Sequence, residues 1–336
     1  MATMKDVAKR ANVSVATVSS VINQNKYVSP ELKERVLKAI EELNYTPNAV
    51  ARSLKKNVTN SIGVILADIL NPYYLEMVKG IDDVALEHDF NLILCNTSND
   101  WKRFRTYLNL MIEKRVDGLL LANISDAEDL REVERSGIPF LLINRKPGGY
   151  AGDYVCIDNF KSSVLSVQHL YEHQYRKISF FGGDPAISTA RERKEGFLAA
   201  MEQLGLTVYE DLVFSGNYTR DKGYELAKRL VERGFRSLPE AICSSSDLMA
   251  FGAYKAFKEH GIRVPEDIAI IGNANSVFSE DFSVPLTTVS HPTYVMGRVG
   301  MTMLLDKIKN PTAAEKVQME IEPTLIVRRS CGCAWK

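Results

Sequence analysis

Apolar residues recur at helical spacing over about the first 45 positions and in short continuous runs after Ser61. Met4–Ala11 puts Val7, Ala8 and Ala11 on the inner side of a short helix. Asn12-Val13 reads as a tight turn. Ser14 has the chemistry of an N-cap, its hydroxyl accepting from a free backbone N–H. A second helix follows over Val15–Asn23, with Ala16, Val18, Val21 and Ile22 apolar and the last three on one face. Asn23-Gln24-Asn25-Lys26 breaks the pattern, and Ser29-Pro30 restarts it with a cap and a proline at the first helical position. Leu32, Val36, Leu37, Ile40 and Leu43 are predicted to line one face of the third helix.

From Ser61 the period changes. IGVILADI suits a strand buried on both faces. A helical stretch over 73–88 and the strand FNLILCNT follow. Then come a helix at about 102–114, VDGLLLAN, a helix around 126–136, IPFLLIN and YVCID. The alternation restarts near Phe160. Strands are predicted at 177–183, 212–216, 240–246 and 268–273, with helices near 162–173, 190–204, 219–233 and 248–260. Strands alternating with helices imply βαβ units, parallel sheets and right-handed crossovers. After Leu286-Thr287-Thr288-Val289 the chain is expected to return to the first lobe through a helix at about 294–309, and to end on a strand, TLIVRR.

Two short helices across a tight turn, backed by a third, form a helix-turn-helix, whose second helix enters the DNA major groove. Ser14, Thr17, Ser19 and Asn23 carry short donors suited to phosphates, contacts that position without reading sequence. A plain three-helix bundle fits the same pattern, so the next stretch matters. Tyr45-Thr46-Pro47-Asn48 ends the third helix, because the residue before a proline avoids the α region. Residues 48–55 suit one more short helix, too short to be stable alone in water. Leu54 stands beside Arg52 and Lys55, an apolar wedge with flanking cations of the kind that minor-groove insertion needs.

These segments resemble the lactose/galactose repressor (LacI/GalR) family, and the head resembles its purine-repressor type. DVAKRANVS, TVSSVIN, ELNYTPNAVARSLK, SIGVILADILNPYY, RVDGLLL, AFGAYKAFKEHGIRVPEDIAIIGNAN, PLTTVSHP and LIVRRS carry the resemblance, which runs from Met4 to about Ser330. It implies an α/β protein with three parts. Residues 1–46 are a three-helix helix-turn-helix domain and 47–60 a hinge helix and linker. Residues 61–336 form a two-lobed core like the periplasmic binding proteins, with parallel sheets flanked by helices. Its N-lobe takes about 61–159 and 291–320, its C-lobe about 160–290 and 321–336. The implied activity is repression of transcription by a homodimer on a palindromic double-stranded DNA operator, controlled by a small-molecule effector. Val15, Ala16 and Ser20 fall at the family's base-reading positions, and the DNA surface further takes in Lys26, Tyr45 and Asn48. Many members have an arginine or histidine where this chain has Ser20, so direct readout there is expected to be weak. Operator choice is then expected to rest more on the bend that Leu54 imposes.

Net charge is zero, from 42 basic and 42 acidic residues. Residues 1–60 hold ten Lys/Arg against five Asp/Glu, a net +5, and the remainder carries −5. A basic head on an acidic body fits nucleic-acid contact confined to the head. No apolar run suffices to span a bilayer and no secretory h-region opens the chain, so no membrane partner is expected. Five scattered cysteines (95, 156, 243, 331 and 333) argue for buried thiols in a reducing, cytoplasmic setting. Cys331-Gly332-Cys333, a single C-x-C without a second pair or a histidine nearby in sequence, is weak grounds for a metal, and none is expected.

In open α/β sheets ligands bind beyond the C-terminal ends of the strands. Asn71, Tyr73 and Tyr74, Asn144 and Arg145, Thr189 and Arg193, Tyr218, Ser246 and Asp247, Asn273 and Asn275, and His291 follow strands in this way. Of these, Tyr73, Tyr74, Asn144, Thr189, Arg193, Tyr218, Asp247, Asn275 and His291 form the expected effector set (a sugar, sugar derivative or nucleobase). Lobe packing for Tyr73 and Tyr74, a helix cap for Asp247 and a structural role for His291 are the alternatives. Arg193 matches the family arginine in the R-x-x-G-F element. The family usually has an acidic residue where this chain has Ala274, so the effector is expected to be chemically unusual for the family, or ligand control to have been lost. A protein co-regulator is then an alternative partner.

Two other classes deserve comparison. A nucleotide-using enzyme fits poorly, because Gly182-Gly183-Asp184-Pro185 lacks the P-loop spacing and no paired carboxylates or nucleophile-base arrangement stand out. No cofactor and no catalysis are expected. A periplasmic solute binder is disfavoured by the basic head and the missing signal segment. The ending CGCAWK carries no apolar heptads, so a dimer is expected and not a dimer of dimers.

Overall fold

The computed structural model describes residues 2–23, 26–45, 58–311 and 315–333. The chain divides into two compact units, Met1–Thr59 and Asn60–Lys336.

The head is built from α1 (Met4–Ala11), α2 (Val15–Asn23) and α3 (Pro30–Glu42). Thr3 caps α1 in a reciprocal box with Asp6. Asn12 takes the left-handed conformation (φ 50°), which lets the chain turn between α1 and α2. Ser14 caps α2, its Oγ accepting from the Thr17 N–H at 3.0 Å. A guanidinium nitrogen of Arg35 on α3 donates to the Ala11 and Asn12 carbonyls (2.7 and 3.2 Å), fixing the turn from behind. Val7, Ala8, Ala11, Val18, Val21, Val36 and Ala39 form the core of the head. Leu37, expected on the apolar face of α3, is half exposed, and Ala39 is buried in its place. Position 39 lies in register with 32, 36 and 43, whereas 37 points away. The expected hinge helix, with Asn48, Arg52, Leu54 and Lys55, lies outside the described residues.

The second unit holds two six-stranded sheets. In the first lobe β1 (Ser61–Leu66), β2 (Asn91–Asn96), β3 (Gly118–Leu121), β4 (Phe140–Ile143) and β5 (Tyr154–Ile157) alternate with α4 (Tyr73–Glu87), α5 (Trp101–Lys114) and α6 (Ala127–Ser136). In the second lobe α7 (Asn159–Glu172) leads into β6 (Ile178–Gly182), α8 (Ser188–Gln203), β7 (Val213–Ser215), α9 (Arg220–Glu232), β8 (Ala241–Ser244), α10 (Asp247–Glu259), β9 (Ala269–Ala274) and β10 (Thr287–Ser290). The chain returns through α11 (Thr293–Lys309) and β11 (Gln318–Ile321), then crosses again to β12 (Thr324–Ile326). The sheet orders are β11-β5-β4-β3-β1-β2 and β12-β10-β9-β8-β6-β7.

The central strands β3, β6 and β8 are buried along their whole length, as expected of sheets covered by helices on both faces. Beyond the expected elements the structure adds β10 and β11. It also makes β12 the antiparallel partner of β10 at a sheet edge, where a wholly parallel sheet was expected. β11 pairs with β5 in parallel from the edge, with Gln318, Met319 and Glu320 exposed, so it has no buried face to leave an apolar run in the sequence. On one face of the first sheet α4 and α11 pack at glycines. A Cβ at Gly80 would lie 2.2 Å from the Tyr294 carbonyl oxygen, and one at Gly297 2.1 Å from that of Met77.

The two sheets are joined at three places: between β5 and α7, between β10 and α11, and between β11 and β12. Among the described residues, no helix is long and apolar enough to cross a membrane.

Candidate effector cleft and DNA-facing helix

The C-terminal strand ends of both lobes converge on one cavity of about 40 Å³. That is room for a few waters, far below the several hundred Å³ of a typical ligand pocket. The lobes therefore stand close together here. Asn71, Tyr73, Tyr74, Asn144 and Arg145 line the cavity from the first lobe. Thr189, Arg193, Tyr218, Ser246, Asp247, Leu248, Asn273, Ala274 and Ser276 line it from the second.

Each side chain is held by its own element. The Tyr73 hydroxyl, at the start of α4, donates to Asn144 Oδ1 just after β4 (2.8 Å). Burial raises the pKa of both Tyr73 and Tyr74, so both stay neutral phenols. Arg193 on α8 is buried; its Nε donates to Asn159 Oδ1 (2.9 Å) and Nη1 to the Ser245 carbonyl (2.6 Å). Its guanidinium lies 5.5 Å from the Tyr218 ring centre. Arg145 is also buried, with Nη1 donating to Asn99 (2.8 Å). Among the described residues neither arginine forms an ion pair.

Asp247 is the one carboxylate lining the cavity, and it is already engaged. It accepts from the Ser276 N–H (2.7 Å), the Ser279 hydroxyl (2.7 Å) and the Thr288 hydroxyl (2.6 Å). It thus ties the loop after β9 to β10, while Ser246 caps α10 through the Met249 N–H (3.2 Å). Three buried polar atoms of the lining have no protein partner: Arg145 Nε, the Tyr218 hydroxyl and Asn273 Oδ1. An unmade hydrogen bond costs about 1–3 kcal/mol per buried group, so such groups call for a partner from outside the chain. Asn144, Tyr218 and Ala274 hold positive φ (71°, 65° and 137°) without being glycine. Backbone strain of this kind gathers at binding sites.

Two expected effector residues stand elsewhere. Asn275 faces Arg328, which donates to its Oδ1 at 2.8 Å, and Asn273 lines the cavity in its place. With positive φ at both Ala274 and Asn275, the regular side-to-side alternation of the strand fails at its end. His291 lies outside the lining, between the lobes. Its Nε2 is 3.2 Å from Ser162 Oγ on α7, and its ring meets that of Tyr73 edge-on at 5.8 Å. Burial and the Arg193 charge push its pKa well below the usual histidine range. Asn71, Arg145, Ser246 and Asn273, expected at the strand ends, line the cavity too, and Leu248 and Ser276 are additions.

Outside the cavity, and sharing Arg145 with it, lies a chamber of about 720 Å³. Asp68, Asp100, Asp126, Glu128, Asp129 and Asp184 line it. Burial and the neighbouring carboxylates raise the Asp129 pKa to about 6. The cleft is thus cationic at its floor and acidic at its mouth.

In the head, Val15 and Ala16 at the start of α2 are exposed, and Thr17, Ser19, Ser20 and Asn23 are partly exposed along it. Ser14 and Thr17 share a hydroxyl contact at 2.9 Å, and Asn23 Nδ2 donates to the Ser19 carbonyl and hydroxyl (2.8 and 3.2 Å). Lys26 is exposed. Tyr45, expected at the DNA, is instead only 8% exposed and packs in the core of the head.

The comparisons with known proteins agree with this arrangement. Residues 3–48 match the model for bacterial regulatory proteins of the lacI family, and 167–331 that for a periplasmic binding protein-like domain. The chain is 37% identical over 332 residues to the HTH-type transcriptional repressor PurR of Pasteurella multocida, with 98% of both chains covered. It is 38% identical over 334 residues to PurR of Haemophilus influenzae strain PittEE, again over 98% of each. Among solved structures, a lac repressor dimer bound to operator and the anti-inducer ONPF aligns with a TM-score of 0.89 at 25% identity, over 98% of this chain and 99% of that one. A complex of the transcriptional regulator CelR with cellobiose aligns with a TM-score of 0.75 at 30% identity, over 98% and 100%.

Proposed function

The chain belongs to the lacI family of bacterial regulatory proteins, and on that premise we propose a cytoplasmic, non-catalytic repressor that binds a palindromic operator as a homodimer under control of a small molecule. One head covers only a half-site, so two are needed for a palindrome. The exposed start of α2, with Val15 and Ala16 beside Thr17, Ser19 and Ser20, is the base- and phosphate-facing surface.

The observation that carries effector control is the polar cavity between the lobes, with three buried polar atoms left for a ligand to satisfy. Its floor is rich in donors and poor in acceptors. Arg145 and Arg193 donate, while Asp247 is consumed by the chain itself. The matching ligand is a small ring compound that presents carbonyl, carboxylate or ring-nitrogen acceptors to the arginines and an N–H or O–H donor to Asn273 Oδ1, such as a nucleobase or an oxidised sugar. Tyr73, Tyr74 and Tyr218 supply aromatic faces for the ring. The six carboxylates of the mouth oppose multiply charged anions such as sugar phosphates.

A thermal-shift screen tests this reading. At about 100 times its Kd a ligand adds roughly 2.7 kcal/mol to the state it binds, a shift of a few degrees for a chain of this size. Nucleobases or uronates are expected to raise the melting point, with the shift lost in Arg193→Lys, which removes the forked donor. A neutral hexose or a sugar phosphate as the tightest ligand would overturn the effector assignment.

A further inference from the structure

On the second lobe, outside the cavity lining, nitrogen and sulfur side chains of four residues come together. His169 and His173 stand one turn apart at the C-terminal end of α7, so both rings project from one face. Their ring centres are 4.5 Å apart. The tail after β12 brings Cys331 and Cys333 to them. Cys333 Sγ lies 3.2 Å from His169 Nε2 and 3.0 Å from His173 Nε2. Cys331 Sγ is 3.0 Å from Cys333 Sγ, well beyond the disulfide bond length of about 2.05 Å. The ligand atoms of His169, His173 and Cys333 all fall within 4.8 Å of one another.

We infer that His169, His173, Cys331 and Cys333 form a tetrahedral binding site for one divalent transition-metal ion of the zinc type. Two imidazoles and two thiols are the donor set that such an ion selects, in contrast to the oxygen-rich sets of calcium and magnesium. With metal–sulfur bonds of about 2.3 Å and metal–nitrogen bonds of about 2.0–2.1 Å, the edges of the tetrahedron are roughly 3.3–3.8 Å. The two Cys333–histidine separations (3.2 and 3.0 Å) fall a few tenths of an ångström below the sulfur–nitrogen edge, and the Cys331–Cys333 separation (3.0 Å) falls about 0.7 Å below the sulfur–sulfur edge, so His169, His173 and Cys333 stand nearly in place and Cys331 swings toward the histidines to complete the tetrahedron.

The surroundings suit the role. Gly332 adopts φ +80°, which folds the C-x-C segment so that Cys333 Sγ reaches both histidines and stays beside Cys331 Sγ. A Cβ there would lie 2.8 Å from the Tyr175 hydroxyl, which donates to the Cys331 carbonyl (3.1 Å). The Thr287 hydroxyl on β10 donates to Cys331 Sγ (3.1 Å), orienting the sulfur as outer partners of metal ligands do. His169 and Cys331 are buried, while His173 and Cys333 reach solvent, so an ion has a route in. The bound ion staples the tail to the helix that begins at the first crossover between the lobes.

The test uses the full chain, purified with a reductant, stripped by chelator and titrated with cobalt(II), then zinc(II). One equivalent of cobalt is expected to give the visible bands of a tetrahedral site with thiolate charge transfer, zinc is expected to displace it, and the melting point is expected to rise. Cys333→Ser and His173→Ala are each expected to weaken binding by more than about 100-fold, the upper end of what loss of a merely supporting group costs. His88→Ala, at an exposed histidine on the other lobe, is expected to change nothing. His173 is exposed at the helix end, so its alanine variant folds. A reduced wild type that binds no cobalt overturns the inference, as does a weak octahedral spectrum. So do tetrahedral bands that survive in both ligand variants.

Discussion

His291 shows how one side chain couples the parts of the core. Ser162 on α7 contacts its Nε2, Tyr73 on α4 packs against its ring, and Arg193 on α8 supplies the nearest charge. It stands at the second crossover between the lobes, immediately after β10. Its folded pKa lies below the ordinary value of about 6.5, so below that pH the unfolded chain takes up a proton that the native chain does not. Stability is therefore complete above about pH 6.5 and falls as the pH drops. Urea unfolding at about pH 7.5 and pH 5.5 is expected to show a loss to which His291 contributes on the order of 1 kcal/mol, with buried His169, its pKa pushed down to about 4, adding its own, so that His291→Gln reduces the loss by that amount. A variant as acid-sensitive as the wild type would contradict this. The sequence marked His291 as chemistry-bearing but left open whether it meets the ligand or plays a structural role. Neither the crossover nor the Ser162 contact, 129 residues away, leaves a local trace. Asn275 misled for a different reason: positive φ at Ala274 and Asn275 turns the strand end and passes the cavity to Asn273.

At the scale of elements, legibility followed burial. The head helices and the central strands stand out because a buried face imposes its period on the sequence. The edge strands β11 and β12 and the short β10 beside β12 carry weaker signals, and β11, largely exposed, carries none. The cluster of His169, His173, Cys331 and Cys333 was hidden because the sequence separates its two halves by about 160 residues. α2 carries its own prediction. Its exposed residues are short, and several of its hydroxyl and amide groups already bond to one another. Each offers the bases little, so operator affinity should depend more on the wedge at Leu54. Leu54→Ala is expected to weaken operator binding more than Ser20→Ala in a fluorescence-anisotropy titration. The reverse order would refute it.

At the scale of the whole molecule, the basic segment of the first 60 residues and the acidic remainder assign DNA contact to the head and leave the core for control. Within the core, Arg193 and His291 each reach α7 beside the first crossover, at Asn159 and Ser162, so the cavity lies next to the segments that join the lobes. Any effector that favours one lobe arrangement must bind the DNA-competent and DNA-free forms with different affinity, and the coupling is reciprocal. The most direct test of this account is selection of bound duplexes from a random DNA pool by the full chain, followed by titration of the enriched sequence over a range of salt. An inverted repeat is expected, bound with one dimer per duplex, with log K falling linearly as log salt rises. Enrichment of no sequence, or binding indifferent to salt, would contradict it.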